Sequence, residues 1–373
     1  MNKIYTAIGL MSGTSGDGVD VSIISSDGKS SYKVLLNEYF AYSTEIYESI
    51  HRLREEIQNL NNLKNKNDEL KSLERKITLF HAKIISDISK KVKFELVGFH
   101  GQTIYHNPNE KISKQLGDGS LLAQLTKKNI VYNFRQSDIK NGGEGAPLTP
   151  IFHHLISKKN KIEVPSCILN IGGISNVTLI LNYSENNFIS RDIGPGNCLI
   201  DSWVRKNSNH KYDKNGDLAS RGKFNDIILE QAEELYSNRA NKKNLSLDVN
   251  DFDVSFARGL SLEDGSATLT LFTAKIIGSS LISFLSKFHN KKIKVLLSGG
   301  GRNNQILVNQ IKQIVSSNII IDLIDNHGVE GDYVESQAFA YLAIRRVINE
   351  PISFPSTTGC SSPTIGGEYL EAK

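Results

Sequence analysis

This 373-residue sequence predicts an α/β protein made of two similar halves. Three observations carry that expectation. Ile4–Ile24 (IYTAIGLMSGTSGDGVDVSII) reads as an apolar strand, a turn of small residues and an alternating strand. Val164–Asn182 (VPSCILNIGGISNVTLILN) repeats that pattern about 160 residues later, close to half the chain. After each hairpin, apolar strands are interleaved with amphipathic helices. A duplicated domain with a ligand in the cleft between the halves is the expected arrangement.

The elements follow in order. After the first hairpin come a strand at Tyr32–Tyr42, helix over Glu45–Lys91, a buried strand Leu96–Phe99, a helix Asp118–Lys127 and a short strand Ile130–Asn133. After the second come a strand Phe188–Asp192, helices from Asn197 to about Asn207 and over Asn225–Asn238, and a long helix Gly265–Phe288. The strand Ile293–Ser298 runs into Gly299-Gly300-Gly301, and helix resumes near Asn304. Ser336–Asn349 reads as a closing helix and Ile352–Lys373, with Pro355 and Pro363, as an irregular tail.

Composition narrows the function. Apolar residues make up 39% and charged residues 23%, the balance of a soluble globular protein. A formal net charge of +4 suits an anionic small ligand but supplies no nucleic-acid stripe. No basic-then-apolar leader opens the sequence, and the apolar tracts are broken by Asn, Gly and Ser, so neither secretion nor a membrane is expected. Cys167, Cys198 and Cys360 are far apart with no Cys-x-x-Cys pair, which points to buried thiols in a reducing cytoplasm.

Four glycine-rich turns adjoin apolar strands: Gly13–Gly18, Gly142–Gly145, Gly172–Gly173 and Gly299–Gly301. Each alone could be an ordinary turn. Together they suggest backbone amides converging on one polyanion. None matches Gly-x-x-x-x-Gly-Lys-Ser/Thr or a dinucleotide fingerprint. Asp17 and Asp20 could orient a metal-bound water or a hydroxyl. Asp192 sits at a strand end before a helix, where a carboxylate can take a proton or merely cap the helix and pair with Arg191. His100 and Gln102, after another buried strand, could hydrogen-bond a sugar, and Arg135 suits a carboxylate or phosphate.

In this order the blocks GLMSGTSGDGVD (Gly9–Asp20), HGQT (His100–Thr103), FR (Phe134-Arg135), GGEGAPLTP (Gly142–Pro150), LNIGGISNVT (Leu169–Thr178), DIGPGN (Asp192–Asn197), LLSGGGRNN (Leu296–Asn304), ESQAFAYLA (Glu335–Ala343) and FPSTTG (Phe354–Gly359) resemble the anhydro-N-acetylmuramic acid kinase family. The resemblance implies two RNase H-like, actin-like ATPase domains with mixed sheets flanked by helices and an ATP cleft between them. Residues 1–134, completed by 336–373, would form one domain and 135–335 the other. It implies a cytoplasmic enzyme of peptidoglycan recycling. The enzyme would use ATP and Mg²⁺ to convert 1,6-anhydro-N-acetylmuramic acid and water to N-acetylmuramic acid 6-phosphate and ADP.

By motif, Gly13, Thr14, Ser15, Gly16, Asp17, Gly18, Val19 and Asp20 would meet ATP, as would Gly172, Gly173, Gly299, Gly300, Gly301 and Asn303. Asp192 would be the catalytic base, and His100, Gln102, Arg135 and Glu335 would meet the sugar. The metal ligands are unassigned, and a homodimer is a family expectation.

Two departures stand out. The family usually carries Leu where this chain has Gly16, which suggests a looser loop. Leu there would stabilise the fold by about 0.4–1 kcal/mol if the backbone tolerates it. The stretch Asn241–Asp253 also departs from the family's usual segment, which questions a substrate or hinge role there. An actin-like kinase for another amino sugar and a non-catalytic nucleotide-dependent binding protein remain as alternatives.

Overall fold

The computed structural model describes residues 3–184, 186–239 and 246–372. Of the divergent stretch 241–253, residues 241–245 therefore lie outside the described residues. The chain divides into a first unit of residues 1–162, 183–189 and 332–373 and a second of 163–182 and 190–331.

In the first unit, strands β1 (Tyr5–Ser12), β2 (Gly18–Ser26) and β3 (Tyr32–Ala41) form an antiparallel meander. Helices α1 (Thr44–Glu56), α2 (Leu60–Asn65) and α3 (Asn67–Ser89) follow. The long helical stretch read from sequence is thus three helices. The breaks come where Ile57 leaves helical geometry and Asn59 caps the next helix through its side chain. Next come β4 (Leu96–Asn107), β5 (Ile112–Leu116), α4 (Gly119–Thr126), β6 (Asn129–Tyr132), α5 (Gln136–Lys140) and α6 (Pro150–Lys159). The sequence reading assigned residues 135–162 to the other half. They pack instead in this unit: Phe152 on α6 lies with its ring 5.0 Å from Tyr32 and 5.4 Å from Tyr341.

The second unit opens with the hairpin β7 (Ser166–Ile171) and β8 (Ile174–Ile180), then β9 (Phe188–Pro195), whose first residues belong to the first unit. Helices α7 (Cys198–Asn207), α8 (Asp217–Arg221), α9 (Asp226–Arg239) and α10 (Leu262–Phe284) lead to β10 (Ile293–Ser298), α11 (Gln305–Ile314) and β11 (Ile319–Leu323). Ser261 caps α10 by accepting from Asp264 N, and Asn304 caps α11 by accepting from Leu307 N. The chain then returns to the first unit with α12 (Val334–Val347), α13 (Pro355–Thr358) and β12 (Glu368–Leu370). The tail is less irregular than its prolines suggest, because β12 pairs antiparallel with β6 and extends the first sheet.

Both sheets share one plan. The first runs β12-β6-β4-β1-β2-β3 with β5 beside β4, and the second β11-β10-β7-β8-β9. Read from β3 and from β9, and setting aside β5 and β12, the order in each is third, second, first, fourth, fifth strand. The first strand is antiparallel to the second and parallel to the fourth. This is the RNase H-like arrangement, present twice.

The core of the first unit gathers Ile8, Leu10, Val21 and Ile23 of the sheet with Ile50, Leu53, Ile77 and Ile84 of α1 and α3. On the other face α12 lies directly on the backbone. A Cβ at Gly9 would sit 1.9 Å from Ser336 O, and one at Gly98 2.3 Å from Phe339 O. The core of the second unit joins Leu169, Ile171, Val295 and Leu297 to Ile277 and Leu281 of α10 and Leu307 and Ile311 of α11. Helix α10 is long and apolar enough to cross a membrane by length and composition. However, 56% of its most apolar stretch is buried within the protein, which is the pattern of a core helix.

Candidate active site

The turn between β1 and β2 is shaped from beneath by three side chains. Gln102 Nε2 donates to Gly13 O (2.9 Å), Arg54 Nη1 donates to Thr14 O, and His51 Nε2 donates to Ser15 O (2.9 Å). In a trans peptide the carbonyl and the following N–H point in opposite directions. The held Gly13 and Thr14 carbonyls therefore turn the Thr14 and Ser15 amides away from Gln102 and Arg54, where they can meet an anion, while the Gly16 amide bonds back to Gly13 O (3.2 Å). Gly13 leaves that side open, since a Cβ there would meet only Ser15 Oγ at 3.7 Å. Asp17 is fixed by Ser15 Oγ and by Tyr39 Oη (3.1 Å). Val19 is fully buried in the core, so its side chain cannot reach a ligand and only its backbone could.

Gly16 adopts φ +61°, and a Cβ there would lie 3.0 Å from Ile50 Cγ2. The loop is thus not loose but locked in a left-handed conformation against α1. Gly16→Leu should therefore destabilise the protein by roughly 1–2 kcal/mol rather than stabilise it, the cost of a left-handed non-glycine residue. Chemical denaturation measures the change, and a stabilised variant would contradict this backbone.

Asp20, on β2, is partly buried. Burial, Asp17, Glu335 and Asp332 together push its carboxyl up to about 8. Glu335 lies in the first turn of α12.

His100 and Arg135 form a relay in the same unit. Arg135 Nη2 donates to His100 Nε2 (3.0 Å), so Nε2 must be the accepting nitrogen and Nδ1–H donates to Gly101 O (2.7 Å). Burial and the Arg135 charge hold His100 neutral, well below its usual range. With both ring nitrogens engaged, His100 as placed orients Arg135 rather than offering a donor to a sugar. Arg135 Nη1 also donates to Gly145 O (2.8 Å). The Gly142–Gly145 turn is held by buried Asp138, which accepts from Gly145 N (2.7 Å) and Thr358 Oγ1 (2.6 Å). Gln102 is fully buried and its Oε1 has no partner among the described residues, an acceptor left for a ligand or water.

In the second unit, Asp192 lies on β9, and its Oδ2 accepts from Leu247 N (2.8 Å). Part of the divergent 241–253 stretch therefore touches this carboxylate through its backbone. The Gly172-Gly173 turn spends its carbonyls on the start of α7: Asn197 N donates to Gly172 O (2.8 Å), and Gly196 N (2.9 Å) and Cys198 N (3.2 Å) to Gly173 O. The triplet Gly299–Gly301 splits in two. Gly299 (φ +77°) and Gly301 lie against Asn170 and Ile171, where a Cβ would clash, whereas Gly300 has nothing within 4 Å. Asn303 is exposed at the end of the same turn.

Beside that turn, Asn176, Asn170 and Ser298 align across β8, β7 and β10. Asn176 Oδ1 and Ser298 Oγ are buried without partners among the described residues, as expected of groups awaiting a polar ligand or water.

The sequence reading missed Arg54 and left Arg302, inside the LLSGGGRNN block, without a role. Arg302 pairs with both Asp325 oxygens (2.8 and 3.0 Å) while donating to Gly299 O (3.0 Å). Burial pushes Asp325 up, but the Arg302 bonds and the Gly331 amide outweigh it and hold the carboxyl below its usual range. Arg54 reaches Thr14 and Thr103, outside its own helix, and Arg302 reaches Asp325, outside its own motif block.

Comparison with known proteins bears on what these residues serve. The family model described as "Anhydro-N-acetylmuramic acid kinase" matches residues 5–371. This chain belongs to that family. A protein of the same name from Pelagibacter ubique is 52% identical over 373 residues, covering 100% of both chains. One from Zymomonas mobilis is 38% identical, covering 97% of this chain and 98% of that one. One from Methylobacterium nodulans is 35% identical, with the same 97% and 98% coverage.

Proposed function

We propose that the protein is an ATP-dependent kinase that converts 1,6-anhydro-N-acetylmuramic acid and water to N-acetylmuramic acid 6-phosphate and ADP in peptidoglycan recycling. The observation that carries this reading is the family match across residues 5–371. Asp192 takes a proton from water as the water oxygen attacks C1. The C1–O6 bond breaks, and O6 attacks the γ-phosphorus. The bond from that phosphorus to the β-phosphate oxygen breaks, and ADP leaves. The Thr14 and Ser15 amides stabilise charge on the phosphates. Arg135, oriented by His100, meets the sugar's carboxylate. The Gly299–Gly301 turn, open at Gly300, takes the nucleoside.

Mg²⁺ accompanying ATP fits the carboxylates of the first unit. Asp20, Asp17, Asp332 and Glu335 are hard oxygen donors, and their mutual repulsion at Asp20 would be relieved by a divalent cation. No three His, Cys, Asp or Glu side chains among the described residues form a metal site of their own. That suits an ion held mainly by phosphates and water. When bound, it would neutralise phosphate charge. Cys167, Cys198 and Cys360 are free thiols, which supports a cytoplasmic location.

A coupled ADP-release assay tests the reading. ADP should appear with the anhydro sugar and not with ordinary amino sugars or without sugar. Equal release with a free 6-hydroxyl amino sugar would favour a simple sugar kinase, and no release in any arm would favour a binding protein. Gly13→Val should leave the fold intact, because the position is open, yet weaken ATP binding by about tenfold or more, each tenfold being 1.4 kcal/mol. Calorimetric titration reads this, and unchanged affinity would reduce the turn to a hairpin.

A further inference from the structure

We infer that Arg54 is a positioning residue that holds the nucleotide turn and the middle of β4, just after His100 and Gln102, as one rigid piece. This rests on the reading of the Gly13–Asp20 turn as the phosphate site. Arg54 lies on the buried face of α1 with Ile46, Tyr47, Ile50 and Leu53, and is only 8% exposed. Its guanidinium reaches two segments distant from it in sequence. Nη1 donates to Thr14 O in the turn, while Nε (3.1 Å) and Nη2 (2.6 Å) both donate to Thr103 O at the end of the His100–Thr103 block.

Only a planar fork with several fixed donors can serve two carbonyls in this way; a lysine ammonium offers one centre. The charge also lies directly under the turn, since a Cβ at Gly16 would be 3.6 Å from Nη1. Arg54 thus does two things for an anion on the far side. It turns the Thr14 peptide so that the Ser15 amide faces outward, and it places a buried positive charge behind the turn, where little water screens it. Because Thr103 is tied to the same group, a shift of the turn is transmitted to the strand carrying His100 and Gln102.

The test compares wild type, Arg54→Lys and Arg54→Met by ATP titration calorimetry, steady-state kinetics and thermal melting. Arg54→Met is expected to raise the ATP dissociation constant about tenfold or more. Arg54→Lys, which keeps the charge but not the fork, should recover part of that affinity. In Arg54→Lys, KM for ATP and for the sugar should both rise, because the turn and the strand lose their common tie. A merely structural arginine would lower the melting temperature and leave the ATP affinity of the folded protein unchanged. That result in Arg54→Lys, which is the variant expected to fold, overturns the inference whether or not Arg54→Met folds. Wild type that binds no ATP would instead refute the phosphate-site reading itself, and the inference with it.

Discussion

Asp192→Asn is expected to fold and bind ATP as wild type does but to turn over about 10²–10⁴-fold more slowly, the usual worth of a positioned general base. The geometry makes this substitution clean. The Asp192 carboxylate accepts from Leu247 N, and an asparagine side-chain oxygen can accept the same bond. The side chain therefore keeps this anchor and its size while losing the ability to take a proton. The nucleotide turn lies elsewhere in the chain, on residues 13–20, so ATP affinity should not follow the rate. Quenched-flow measurement of sugar phosphate formed in a single turnover separates the chemical step from product release. Near-wild-type single-turnover rates would remove Asp192 from the mechanism, and a parallel loss of ATP binding would mean a broader structural effect.

The repeated architecture was legible because the two hairpins carry the same strand–small turn–strand pattern, and that pattern does become the first and second strands of both sheets. The sequence reading ended a strand at Asp192, but β9 runs on to Pro195, so Asp192 lies within the outermost strand of the second sheet. Glycine and proline just after Asp192 suggested a stop that the strand does not make until Pro195. The supports of the turns were not legible. Arg54 reaches Thr14 across 40 residues and Thr103 across 49, and no local period encodes such a contact. The one available signal was an arginine on the apolar face of an amphipathic helix, where a cation must find buried acceptors.

Sequence pattern also cannot separate glycines that serve packing from those that leave room. Gly299, Gly300 and Gly301 look alike in the chain, yet only Gly300 has open space beside it. Residues 135–162, assigned to the second half, lie in the first unit. The aromatic contacts of Phe152 with Tyr32 and Tyr341 decide where they pack.

Asp20→Asn should stabilise the protein increasingly as pH rises from about 4 to about 8. The carboxyl has its ordinary value of 3.8 in the unfolded chain and is pushed up to about 8 in the folded one by burial and by Asp17, Glu335 and Asp332. Within that window the folded state holds a proton that the unfolded state has released, so wild-type stability falls as pH rises. Below the window the group is neutral in both states, and above it the full cost is present. At about 1.4 kcal/mol per pKa unit, reduced by the group's partial exposure, the difference between wild type and variant should reach a few kcal/mol at pH 8 and nearly vanish at pH 4. Urea denaturation of both proteins across this range measures it. A divalent cation held beside Asp20 by the ATP phosphates would favour the ionised form, so Mg²⁺ with ATP should shrink the difference at pH 8 while leaving that at pH 4 unchanged. A stability gap that does not vary with pH would mean that Asp20 is ionised at ordinary cost in the folded protein.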